Sequence, residues 1–348
     1  MSKIEILTKA ADSSLQTLPL VTLYLTDRCN SRCITCDYWR HGRSNLTLGS
    51  LSVLLPGIAR LGTEIVLLSG GEPLLNPEWV EIAETLRTRG LRLWLLTSGL
   101  SLAKHAKKVA ALFESVTVSL DGTNRKTYAA IRGLDAFDNV CAGVRAATAT
   151  AVGVSLRVTV QRANYHELPR FVTLAHELGV RQISFLPVDV SNAHAFARVG
   201  ELSSELALTQ DDLPQFREIL SGLVRDHDRD FKTRFIAENP QKLARILQYF
   251  SALCGQAEFP GVTCNAPEFS AVITAESKIQ PCFFIPGPEQ QVPNGDLYAN
   301  LDESAMRSLR AAIAAGQRPE CRRCVCSMWR NPKARRGSDF QLPGWVPT

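Results

Sequence analysis

Cys29, Cys33 and Cys36 lie in the run CNSRCITCDYW, spaced C-x3-C-x2-C. An apolar stretch at 20–25, LVTLYL, precedes them and reads as a buried strand. Three thiolates are an odd number for a metal site, because structural zinc and ordinary iron–sulfur clusters take four protein ligands. A cubane held by three cysteines leaves one iron for a ligand that is not protein. The alternative is zinc completed by a remote residue, and His41 is near enough in sequence to be that residue. In α/β folds ligands bind at the carboxyl ends of strands, and the triplet directly follows one.

After the triplet, strand and helix alternate. Strands are expected at 64–68, 91–96, 116–120, 152–160 and 180–187. Helices are expected at 48–61 with Thr47 as cap, 77–89, 102–113, 137–150 and 166–178. With the strand at 20–25 this makes six strands, and alternation implies parallel pairing with right-handed crossovers. Six repeats fall short of the eight of a closed barrel, so an open, partial (β/α)6 TIM-like barrel is expected. The stretch 189–209 has no clear period. Residues 211–226 and 240–253 read as helices, 269–274 and 278–284 as a β-hairpin, and 302–315 as a final helix.

The chain has 348 residues, enough for one large barrel with an appended unit. It contains no apolar run of about 18 residues, so no membrane partner is expected. Its first residues, MSKIEILTKAADSS, do not form a charged-then-apolar signal, so the cytoplasm is the expected location. Ten cysteines in such a setting argue for metal or redox chemistry over disulfides. The formal charge of +5 would fall by about three units with seven thiolates on two oxidised cubanes. Charge therefore makes no case for a nucleic-acid partner. The basic run at 330–336 reads as a solvated tail.

A second cysteine group follows the barrel candidate. Cys264 and Cys282 flank the expected hairpin, and Cys321 and Cys324 form a C-x2-C pair. Four thiolates from a hairpin and a tight loop make a closed site for an iron–sulfur cluster or for zinc. Cys326 competes with Cys324 for the fourth place, and spacing favours Cys324. Cys141 reads as a buried core thiol.

The triplet followed by GGEP at 70–73 closely resembles the radical S-adenosylmethionine (SAM) superfamily. The resemblance implies a 4Fe–4S cluster on Cys29, Cys33 and Cys36, with SAM on its open iron. It also implies cleavage of SAM to a 5′-deoxyadenosyl radical. Gly70, Gly71, Glu72 and Pro73 would approach the SAM ammonium, with the two glycines letting the backbone come close. Ser98, Ser119 and Asp121 stand at later strand ends, where the ribose or carboxylate region would bind. Arg157 would pair with the methionine carboxylate, Leu186 would pack the adenine, and Tyr38 resembles the family's adenine-contacting aromatic. The second group is similar to the twitch domain, a shortened SPASM domain holding one auxiliary 4Fe–4S cluster. Gly295 opens a stretch resembling that domain's glycine–asparagine segment.

The implied organisation is an extension at 1–19, a radical SAM partial barrel at 20–190, a helical connector at 191–260, an auxiliary cluster domain at 261–330 and a tail at 331–348. Cys254 falls where the chain returns to the auxiliary domain, and a hydrogen-atom donor, a spare ligand and an inert thiol are its three readings. The expected function is a tailoring enzyme that epimerises or dehydrogenates a small hydroxylated substrate such as a sugar or aminocyclitol. Its electrons would come from a flavodoxin- or ferredoxin-type donor. Peptide modification is the alternative within the family, and a zinc-stapled binding protein the alternative outside it.

Overall fold

The computed structural model describes residues 15–198, 204–288 and 296–331. Most of the N-terminal extension, Gly295 and nearly all of the tail lie outside these residues. Six strands follow in order: β1 Leu20–Thr26, β2 Ile65–Gly70, β3 Arg92–Thr97, β4 Ser115–Ser119, β5 Gly153–Val160 and β6 Gln182–Pro187. Each pairs in parallel with the next, as strand–helix alternation demands. The result is the expected partial barrel.

The hairpin departs from expectation in one respect. β7 (Ser270–Ile273) pairs in parallel with β1, and β8 (Ile279–Gln280) pairs antiparallel with β7. One eight-stranded sheet therefore runs β6-β5-β4-β3-β2-β1-β7-β8. The auxiliary hairpin extends the barrel sheet instead of standing apart from it.

Successive strand residues point to opposite faces. On β1 the odd positions Val21, Leu23 and Leu25 join the core beneath the helices, while Leu20 joins a second cluster. That second cluster brings Ile65, Leu67 and Trp94 of the neighbouring strands against Ala266, Phe269 and Met328. Residues from the second cysteine region thus pack on the inner face of β1–β3. The opposite part of the inner face is polar, with Thr117 and Ser155 hydrogen-bonded at 2.9 Å.

Thr47 caps helix Leu48–Arg60 by accepting from Ser50 N, as expected. The helix at Trp79–Arg87 starts later than its Asn-Pro pair suggested. Asn76 is occupied elsewhere: its amide donates to the Leu25 and Leu46 carbonyls at 2.5 and 2.8 Å and accepts from Glu78 N at 2.7 Å. Helix Arg125–Arg132 has no counterpart in the sequence reading. Among the described residues no helix is long and apolar enough to cross a membrane.

Candidate functional site

The cysteine loop leaves the carboxyl end of β1 and is held from two sides. On one side Gly71 N donates to Thr26 O at 2.7 Å and Glu72 N to Arg28 O at 2.8 Å. A Cβ on Gly70 would overlap the Thr26 carbonyl and one on Gly71 the Arg28 carbonyl, and Gly70 has φ +121°. The two glycines therefore permit one loop backbone to lie on another. Close approach between loop backbones is thus one use the structure gives these glycines.

On the other side stands helix Arg125–Arg132. Its last carbonyls have no partner within the helix and take theirs from the cysteine loop. Arg32 N donates to Arg132 O and Ile34 N to Ile131 O, both at 3.0 Å, while Ser31 Oγ donates to Arg132 O at 3.3 Å. Asn124 caps the start of this helix, and Gly133, at φ +72°, ends it in the left-handed conformation.

The three thiols are close enough to influence one another electrostatically. Burial pushes the thiols of Cys29 and Cys36 up to about 12. Donors already face two of the sulfurs. Ser31 N approaches Cys29 Sγ at 3.4 Å, and Arg132 Nη1 approaches Cys33 Sγ at 3.4 Å. Ser31 Oγ lies 3.3 Å from Cys33 Sγ. Hydrogen bonds to sulfur stabilise a ligand that carries charge, so this donor set fits thiolate ligation of an iron–sulfur cluster. Among the described residues no three His, Cys, Asp or Glu side chains stand at metal-ligand spacing. His41, the candidate fourth zinc ligand, is exposed. A further loop covers the triplet: Asp37 N and Cys36 Sγ both donate to Phe196 O, at 3.0 and 3.5 Å.

Several residues expected at SAM have partners within the protein. Glu72 is fully buried and its carboxylate accepts from Leu74 N, Thr97 Oγ1, Ser98 N and Ser98 Oγ, at 3.2, 2.8, 2.7 and 2.6 Å. Burial raises its pKa against those four bonds. Glu72 and Ser98 thus tie the end of β2 to the end of β3, and Pro73 opens a short 3-10 turn beside them. Asp121 accepts from Thr159 N at 2.7 Å and from Arg132 Nη2 at 2.8 Å. Both of its oxygens are occupied in fixing other protein groups.

Ser119 stands in register with Arg157 across β4 and β5. The half-buried Arg157 has Cys326 and Glu238 as electrostatic neighbours, which places it beside the second cysteine group. Leu186 lines a cavity of about 50 Å³ with Pro187, Tyr249, Cys324 and Val325, also on that side. Tyr38 packs edge-on against Tyr24, with centroids 6.1 Å apart. Cys254 ends helix Pro240–Leu253, where its Sγ donates to Leu208 O at 3.5 Å and Asp212 is its charged neighbour. The triplet is not among its described partners.

The second group brings five cysteines into one region without metal-ligand spacing. Cys264, Cys282, Cys321, Cys324 and Cys326 are linked by mutual electrostatic interactions, each within reach of Cys264. Burial raises Cys282 to about 12. Met328 N approaches Cys264 Sγ at 3.5 Å, so this site too offers a donor to sulfur. Cys326 differs from the others in facing Arg157 and Lys242.

Two residues escaped the sequence reading. Arg132 links Cys33 to Asp121, and the Asn124–Gly133 pair that brackets its helix was the available signal. Tyr24, on the inner face of β1, has both Cys36 and Cys282 as neighbours, so the two cysteine groups approach one another there.

Known proteins agree with this architecture. Residues 23–175 match the family described as the Radical SAM superfamily. The Fe-coproporphyrin III synthase of Methanosarcina barkeri is 24% identical over 332 residues, covering 88% of this chain and 80% of its own. A probable GTP 3′,8-cyclase of Saccharolobus islandicus is 35% identical over 167 residues, about half of each chain at 47% and 54%. Among solved structures, native anSMEcpe with bound AdoMet and Cp18Cys peptide superposes with TM-score 0.64 at 17% identity, covering 94% of this chain and 93% of that one. The stretch that carries the cysteine triplet at the end of the first strand and runs through most of the barrel is thus the part of this chain that is similar to the Radical SAM superfamily.

Proposed function

We propose that the chain is a radical SAM enzyme with two 4Fe–4S clusters that acts on a small hydroxylated molecule of the sugar or aminocyclitol kind, by epimerisation or dehydrogenation. The observation that carries this reading is the gathering of five cysteines on the inner side of the barrel sheet, with Tyr24 between them and Cys36. When bound, the first cluster and SAM supply a 5′-deoxyadenosyl radical able to take hydrogen from an unactivated C–H bond.

The protein's own residues then have distinct tasks. Cys29, Cys33 and Cys36 hold the first cluster. Gly70, Gly71 and Glu72 keep that loop in place, and Phe196 shields it. Cys264, Cys282, Cys321 and Cys324 would hold a second cluster, which would supply an electron acceptor for dehydrogenation. Cys254 returns a hydrogen atom in epimerisation once the loop at Leu208 releases it. A flavodoxin- or ferredoxin-type protein delivers the first electron.

A second reading draws on the relative that spans most of both chains, which is named for making an iron coproporphyrin. The substrate would then be a polycarboxylate, for which the half-buried Arg157 supplies a cation on the inner face.

Anaerobic reconstitution followed by iron and sulfide analysis tests the frame. About eight irons per chain and 5′-deoxyadenosine release under dithionite are expected. Two zincs and no visible absorbance would overturn it. Deuterium transfer into 5′-deoxyadenosine from labelled aminocyclitols, peptides or coproporphyrin-type tetrapyrroles then separates the substrate classes.

A further inference from the structure

Arg132 is a buried cation in an unusual position. One end of its guanidinium meets the Cys33 sulfur at 3.4 Å, and the other meets Asp121 Oδ2 at 2.8 Å. The side chains of Arg132 and Asp121 are 10% and 4% exposed. Burial works against the Arg132 cation, while Asp121 and Cys33 hold it charged. Asp121 is itself fixed by Thr159 N at 2.7 Å. The Arg132 carbonyl meanwhile accepts from Arg32 N and Ser31 Oγ of the cysteine loop. Backbone and side chain of one residue therefore grip the same loop, and the charge cannot swing away without breaking a buried ion pair.

A fixed charge at this distance acts on whatever the sulfur ligates. Hydrogen bonds to cluster sulfurs and nearby charge are two of the levers by which a protein sets an iron–sulfur potential. A positive group stabilises the more negative, reduced core. With little water between, the effect is weakly screened.

We propose that Arg132 is a positioning residue that raises the reduction potential of the cluster on Cys29, Cys33 and Cys36, with Asp121 as its anchor. This rests on the reading that the triplet holds a 4Fe–4S cluster. The step affected is the transfer of one electron from a low-potential flavodoxin- or ferredoxin-type donor to the cluster. No bond forms or breaks in it and no proton moves. Arg132 thereby eases the reduction that must precede SAM cleavage.

The test is an anaerobic redox titration of the reconstituted full chain, read by electron paramagnetic resonance. The signal lost in Cys33→Ser identifies the first cluster. Arg132→Gln is expected to lower the one-electron reduction equilibrium constant at least tenfold, a shift of about 59 mV or more for a one-electron couple. Arg132→Lys keeps the charge and is expected within about threefold of the parent. An unchanged potential in Arg132→Gln with iron retained overturns the proposal, as does an equal fall in Arg132→Lys. Should Arg132→Gln fail to take up iron, Arg132→Met, which keeps much of the side chain's length without its charge, decides: a potential equal to the parent's overturns the proposal. The response of the parent signal to added SAM is a separate readout. If that line shape does not change, the SAM reading fails while the effect of Arg132 on the cluster stands.

Discussion

Gly133 lies directly beneath Arg32, so that a Cβ on the glycine would overlap the Arg32 carbonyl oxygen. Its φ of +72° is also one that other residues adopt at a cost. Gly133→Ala is therefore expected to lose about 1–3 kcal/mol of stability and to loosen the cysteine loop. Urea unfolding of the iron-free protein measures the first effect and iron retention during gel filtration the second. A variant as stable as its parent, with full iron, would show that the helix end does not constrain the loop.

Glu72→Ala removes the acceptor of four buried donors. Each unmade buried hydrogen bond costs about 1–3 kcal/mol, so the loss should reach about 3 kcal/mol or more. Glu72→Gln keeps the shape and half of the acceptor capacity, and should cost clearly less. Thermal melts that rank the two variants the other way would contradict the tie between β2 and β3.

The iron-free protein should lose stability in alkali. Cys29, Cys36 and Cys282 have folded-state values near 12, against 9.0 for an unperturbed thiol. A raised value means that the folded chain keeps protons the unfolded chain has given up. That stabilisation is complete below pH 9 and is lost as pH rises through 12. The melting temperature should fall across this window and the fall should shrink in Cys29→Ser. For the same reason cluster assembly near neutral pH releases protons, which a lightly buffered indicator assay would register.

Serine scanning of the second group should divide its five thiols. Cys264→Ser, Cys282→Ser, Cys321→Ser and Cys324→Ser are each expected to reduce iron from about eight to about four per chain. Cys326→Ser should keep its iron, because Cys326 faces Arg157 and Lys242. Loss of iron in Cys326→Ser with retention in Cys324→Ser would exchange their roles.

Six barrel strands and most helices could be read from the sequence because strand–helix alternation is a local signal. The parallel pairing of β1 with β7 could not, since nothing in either strand names its partner. At the site, residue type was legible and occupation was not. Glu72, Ser98 and Asp121 stand at strand ends as expected, yet their polar atoms bind neighbouring loops. Polar groups at strand ends must be satisfied somewhere, and a sequence does not say whether protein or ligand does so. Arg132 went unseen because its helix has only eight residues, too few to show a helical period, and its last carbonyls are satisfied by the cysteine loop.

The seam between β1 and β7 bears on how the chain is made. Leu20 pairs with Ser270, about 250 residues later. At about 5–20 residues per second, a ribosome needs roughly 12–50 s to supply the partner strand. Over that interval β1 has β2 on one side and an unpaired edge on the other. Metal inserted during synthesis would therefore enter a barrel with one open side, and the last strands to emerge would close it.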